Sequence, residues 1–123
     1  MKLLIGTTAL VTLFATQAFA FTLADVAGKY QITSDALGAV NVMTITTQGK
    51  VTLFEKSIDG NFTCKGNATM TNNVVNSSVK CENGMSFSQE INLSTVTNLS
   101  QFSAPVFTSL LGQTVPMNFK KIK

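Results

Sequence analysis

Cys64 and Cys81, the chain's two cysteines, stand equally far on either side of the dipeptide Asn72-Asn73, and this symmetry constrains the fold more than any other feature. A two-residue hairpin turn at Asn72-Asn73 pairs Gly66 with Val79 and Cys64 with Cys81. Counted outward from that turn, the cysteines form a non-hydrogen-bonded pair, where facing side chains lie closest, so a disulfide is geometrically reasonable there. The sequence therefore predicts an oxidised antiparallel hairpin. Neither cysteine belongs to a C-x-x-C arrangement, which favours a structural bridge over a redox-active dithiol.

An oxidised hairpin belongs to an oxidising compartment, and the start of the chain agrees with that. Lys2, an apolar run over residues 3–14 and then Ala18-Phe19-Ala20 have the charged start, apolar middle and small-x-small end of a cleavable secretory signal. Residues 1–20 are read as that signal, and 21–123 as one domain beginning at Phe21. Thr7, Thr8 and Thr12 interrupt the apolar run, so no transmembrane anchor is expected after cleavage. The short signal looks bacterial, which places the product in the periplasm or outside the cell. About 100 residues remain, enough for one small domain whose thin core makes a covalent staple matter.

Charge and composition exclude several classes. Nine Lys and no Arg face six acidic residues, far from the dense basic stripe of a nucleic-acid binder. There is no His, so Ser-His and Cys-His nucleophile pairs and His-containing metal sites cannot be built. No catalytic residue, metal ligand or cofactor site is expected, and an enzyme is disfavoured. Asn61, Asn67, Asn76, Asn92 and Asn98 each open an N-x-S/T sequon, but the bacterial-looking signal argues against their glycosylation.

Turn signals recur about every ten residues, at Asp35 to Gly38, Gln48-Gly49, Asp59-Gly60, Asn72-Asn73 and Asn83-Gly84, with Thr, Val, Ile and Phe between them. This is the pattern of an all-β antiparallel up-and-down meander of about seven or eight strands, forming a small barrel or half-barrel. A two-residue turn at Asp59-Gly60 pairs Leu53 with Gly66 and Glu55 with Cys64. Three-residue loops at Gln48-Gly49 and Asn83-Gly84 pair Met43 with Leu53 and Val79 with Phe87, which keeps apolar residues on one face.

The inner face then centres on Met43, Leu53, Gly66, Val79 and Phe87. Ile45, Val51, Ala68, Ser77 and Gln89 flank it on one side, with Met70, Val75 and Ile91 beyond them. Asn41, Glu55, Cys64, Cys81 and Met85 flank it on the other. Residues such as Thr63, Lys65, Asn67 and Lys80 face the opposite, wet side. Residues 28–34 and 114–122 add two strands. Residues 102–111 lack clean alternation and carry Pro105, which predicts an ordered crossover or short helical turn that covers the sheet or closes a barrel.

Several residues stand out as site candidates. Gly66 lies mid-strand in the apolar centre, where a glycine either bends the sheet to close a barrel or leaves space for an apolar ligand. Glu55 belongs at the wet rim or orients a ligand inside. On the outer face, Lys65 and Lys80 fall opposite each other with Lys56 nearby: either a solvated basic face relieved by Glu82, or a contact for an anionic envelope component or acidic protein. Val42 and Phe54 pair on the same face, covered by residues 102–111 or left as a partner-binding patch.

Leu23-Ala-Asp-Val-Ala-Gly28-Lys-Tyr30, a short helical lead into a Gly-x-aromatic first strand followed by a meander, resembles the beginning of lipocalins and related calycins. Gly28 and Tyr30 stand where that family has its Gly-x-Trp pair, with Tyr in place of Trp. The resemblance implies a closed up-and-down barrel holding small apolar molecules in its cup; the chain has no Arg to cover the barrel base. The leading expectation is thus an exported non-enzymatic binding protein, with Met43, Leu53, Gly66, Val79, Phe87 and Glu55 around a small apolar ligand. The alternative is an envelope-associated or secreted interaction or inhibitor module acting through Val42, Phe54, Lys56, Lys65 and Lys80.

Overall fold

Hairpin turns placed about ten residues apart leave each strand beside its predecessor, and in the computed structural model this meander closes on itself. The structure describes residues 20–34, 40–57 and 60–123. A short helix, α1 (Leu23–Val26), precedes eight strands: β1 (Gly28–Thr33), β2 (Val40–Ile45), β3 (Lys50–Ser57), β4 (Gly60–Thr71), β5 (Val74–Cys81), β6 (Ser86–Asn92), β7 (Gln101–Thr108) and β8 (Gln113–Ile122). All neighbours are antiparallel and β8 pairs with β1, giving a closed barrel in sequence order. Closure removes every sheet edge, which a small β protein must otherwise protect. All but the last residue of the expected signal at residues 1–20, the turn at Asp35 to Gly38, and Asp59 of the Asp59-Gly60 turn lie outside the described residues.

Local turn chemistry explains most of the register. Asn72 and Asn73 adopt φ of 50° and 62°, the left-handed pair that a two-residue turn needs and that asparagine tolerates. Cys64 accordingly faces Cys81, and the two are disulfide-bonded. Gly49, at φ 85°, closes a three-residue loop by donating to the Thr46 carbonyl, and Met43 faces Leu53 as expected. Val79 likewise faces Phe87.

The β3–β4 register differs from the expected one by two residues. Leu53 faces Cys64 rather than Gly66, and Glu55 faces Phe62 rather than Cys64, because the pairing runs out to Ser57 opposite Gly60. A slide of two leaves every side chain on its face, so hydrophobic patterning cannot distinguish the registers.

Residues 102–111 are neither crossover nor helical turn: most of them form β7. Ala104, Val106 and Thr108 point inward and are buried, while Ser103, Pro105 and Phe107 point outward. The apolar character of Pro105 and Phe107 hides this alternation in the sequence. Pro105 sits opposite Pro116 of β8, beyond the last β6–β7 pair at Ile91 and Val106 and beyond the last β1–β8 pair at Thr33 and Asn118. The missing N–H groups therefore interrupt neither outer ladder. The β6–β7 ladder has only three pairs, which makes it the barrel's shortest seam.

One end of the barrel is plugged. Thr22 and Asp25 form a capping box, with Asp25 N donating to Thr22 Oγ1 at 3.2 Å and Thr22 N to Asp25 Oδ2 at 2.9 Å. Phe21 N donates to Asn73 Oδ1 at 2.7 Å, tying this segment to the β4–β5 turn. Val26 is buried beneath it, and Tyr30 Oη donates to the Val26 carbonyl at 2.6 Å. Burial pushes the Tyr30 hydroxyl up to a pKa of about 12. Phe102 and Phe119 stack at 4.7 Å with Tyr30 edge-on to both, at 6.1 and 6.4 Å.

Candidate functional site

Away from the plug, the inner face is less completely filled. A cup of about 90 Å³ lies there, lined by Ile32, Leu53, Phe87 and Met117 among apolar residues and by Asn41, Glu55, Gln89 and Thr108 among polar ones, with Leu110 at its edge. The residual void at the plugged end is only about 10 Å³, between Val26, Tyr30, Met43 and their neighbours, no more than a single water needs. The two ends are thus chemically distinct: one solid and apolar, the other hollow and partly polar.

The polar groups arrive in cross-strand pairs. Asn41 of β2 faces Glu55 of β3, and Gln89 of β6 faces Thr108 of β7. Directly opposed residues have Cβ atoms roughly 5 Å apart, so each pair presents its functional groups side by side. Asn41 is 7% exposed and Thr108 1%. Thr108 Oγ1 accepts from Leu110 N at 3.3 Å, which folds the β7–β8 loop back over the cup. Among the described residues Asn41 Oδ1 has no hydrogen-bond partner. Burial raises the Glu55 carboxyl above its ordinary value.

Of the expected ligand residues, Leu53, Phe87 and Glu55 line the cup. Met43 lies toward the plug. Gly66 and Val79 face each other outside the cup lining, where β4 and β5 run close together: a Cβ on Gly66 would collide with the Ser78 carbonyl oxygen. The glycine thus admits a neighbouring backbone rather than leaving a space for ligand. The lining also takes in Ile32, Thr108, Leu110 and Met117, absent from the expected set. Asn41 and Gln89 carried the legible signal, as polar residues on an otherwise apolar face.

The outer face keeps its expected pairs, with Val42 opposite Phe54 and Lys65 opposite Lys80. Because β7 is part of the barrel wall, residues 102–108 do not cover this pair, and Phe54 remains 39% exposed. Lys56 follows Phe54 by two residues on the same outward side of β3. Glu82 stands beside the two lysines, and its Oε1 accepts from Thr63 N at 2.7 Å. Wider hollows on the outside, about 460 Å³ beside Gln31, Ser103 and Lys120 and about 520 Å³ beside Lys65, Lys80 and Glu82, are open depressions among mainly polar side chains.

An apolar interior with Lys, Asn and Thr outside is the reverse of a membrane-spanning barrel, which is apolar on its outer band. Among the described residues no helix is long and apolar enough to cross a membrane, and no three His, Cys, Asp or Glu side chains gather as metal ligands would. Comparison with family models, with curated proteins and with solved structures yields no match to this chain.

Proposed function

We propose that this is an exported, non-enzymatic binding protein that takes a small ligand into the open end of a calycin-like barrel. The observation that carries the reading is the asymmetry of the barrel: a plug and aromatic cluster fill one end, while the other keeps a cup with apolar walls and a few convergent polar groups. That combination is the usual make-up of a small-molecule site. The cup is smaller than the roughly 150 Å³ that admits benzene. The ligand therefore inserts an end group, and any larger body lies at the mouth beside Leu110.

The likeness to calycins gains support at the base. Lys121 of β8 places Nζ 5.5 Å from the centre of the Tyr30 ring, a cation in the place for which the chain has no Arg. Gly28 makes this packing feasible, since a Cβ there would stand 2.7 Å from Lys121 Cε. Glu55 is the only carboxylate among the described cup residues; Asp25 belongs to the plug's capping box and Glu90 is exposed on the outer face. The disulfide agrees with an oxidising, extracytoplasmic setting.

Native mass spectrometry of the protein from its own envelope or culture fluid tests this reading. A discrete additional mass, lost on denaturation, is expected; a bare disulfide-bonded mass would overturn it. The uncovered Phe54 supports a second reading, in which Val42, Phe54, Lys56, Lys65 and Lys80 meet an acidic protein surface. Changing the three lysines to Ser would then weaken capture of that partner, and undiminished capture would remove them from the interface.

A further inference from the structure

Two hydrogen-bond acceptors, the Asn41 side-chain oxygen and the Glu55 carboxylate, belong to facing residues of the cup wall. Asn41 is more than nine-tenths buried, lines the cup, and its Oδ1 is unpartnered among the described residues. An unsatisfied buried acceptor is destabilising until a donor meets it. Its cross-strand neighbour Glu55 adds a carboxylate to the same wall. No Lys lines the cup among the described residues, although the chain has nine, and no described side chain forms an ion pair with Glu55.

We propose that the cup receives the ammonium end of a small alkylamine, with the Asn41 side-chain carbonyl and the Glu55 carboxylate as its acceptors. An ammonium carries three donors and no acceptor, and the acceptors it needs are the Glu55 carboxylate and the Asn41 side-chain carbonyl. Gln89 and Thr108, the facing polar pair, offer further oxygens for the third donor. Phe87 contributes an aromatic ring, which favours a cation over a neutral group, and Ile32, Leu53 and Met117 give the alkyl carbons an apolar wall. A hydroxyl would satisfy Asn41 and leave the carboxylate uncompensated. A carboxylate ligand would bring a second negative charge into a partly buried site.

This assignment rests on the cup being a ligand site, and the two can fail separately. The mature protein is titrated by calorimetry near neutral pH with n-butylamine, n-butanol and butyrate as probes, and Asn41→Leu and Glu55→Gln are titrated with butylamine after thermal melts establish that they fold. Butylamine is expected to bind about tenfold or more tightly than butanol, with butyrate weaker still, as follows from a hydrogen bond to a charged group worth about 1.5–3 kcal/mol. Each variant is expected to lose most of that preference. Glu55→Gln, which keeps shape and removes charge, carries the test if Asn41→Leu does not fold. Butanol binding as tightly as butylamine, or an undiminished amine preference in Glu55→Gln, would overturn the amine assignment and leave the cup as a ligand site. Failure of butylamine to bind would overturn the assignment whatever mass the native protein carries. A bare native mass would remove the wider reading as well.

Discussion

At Gly66 the space for a side chain is already occupied by the backbone of the next strand. A Cβ would collide with the Ser78 carbonyl oxygen and approach Val79 Cα to 2.8 Å, and neither group can swing aside as a flexible side chain would. Gly66→Ala is therefore expected to cost about 3 kcal/mol or more, read as a fall in the urea midpoint; a change under about 0.5 kcal/mol would show that β4 and β5 do not approach so closely. Glu55 makes a different prediction. Its carboxyl is held above the ordinary value by burial, so the folded state binds its proton more tightly than the unfolded state does. Ionised Glu55 thus lowers stability above its folded pKa, and the deficit disappears as pH falls through that value to the ordinary carboxylate range. Glu55→Gln is expected to melt higher than the natural protein at neutral pH, with the gap closing on acidification. A pH-independent gap would assign the effect to packing. Raised stability together with lost amine binding would mark Glu55 as a residue kept for function.

At the scale of elements, the β4–β5 hairpin was readable from sequence because its determinants are local: two asparagines that tolerate positive φ, and cysteines at a non-hydrogen-bonded pair. Replacing both cysteines by Ala should cost about 3 kcal/mol on the chain-entropy estimate for this separation. In a domain this small that is a fall on the order of 15 °C in Tm, and an unchanged Tm would show that the hairpin is held without its bridge. The β3–β4 register was not readable, since a slide of two residues conserves every face assignment. Strand β7 was hidden for another reason. Pro105 and Phe107 are apolar residues on its outward side, and Pro105 is permitted only because it lies past the short β6–β7 ladder. In the sequence that proline argues against a central strand, while the neighbouring ladder decides whether its missing N–H matters.

For the whole molecule, closure through β8 is what protects β1 and β7 from exposing edges. A chain lacking Gln113–Ile122 should associate in a concentration-dependent way on size-exclusion chromatography, while the intact chain elutes independently of concentration; a well-behaved truncated monomer would mean that closure is not what protects those edges. Closure also divides the inner face into a plugged half and an open half, and this division made Leu53, Phe87 and Glu55 cup residues while Met43 became core and Gly66 a backbone contact. The sequence by itself determined which residues of β2 to β6 face inward, where the β4–β5 hairpin turns, and which cysteines meet, because a period of two and the φ preferences of turn residues act over a few positions. Only the tertiary structure decided the β3–β4 register, the membership of β7, and the bringing together of Asn41, Glu55, Gln89 and Thr108. Those outcomes depend on how distant strands stagger around a closed barrel and on which end the amino-terminal segment fills, and no local preference encodes either.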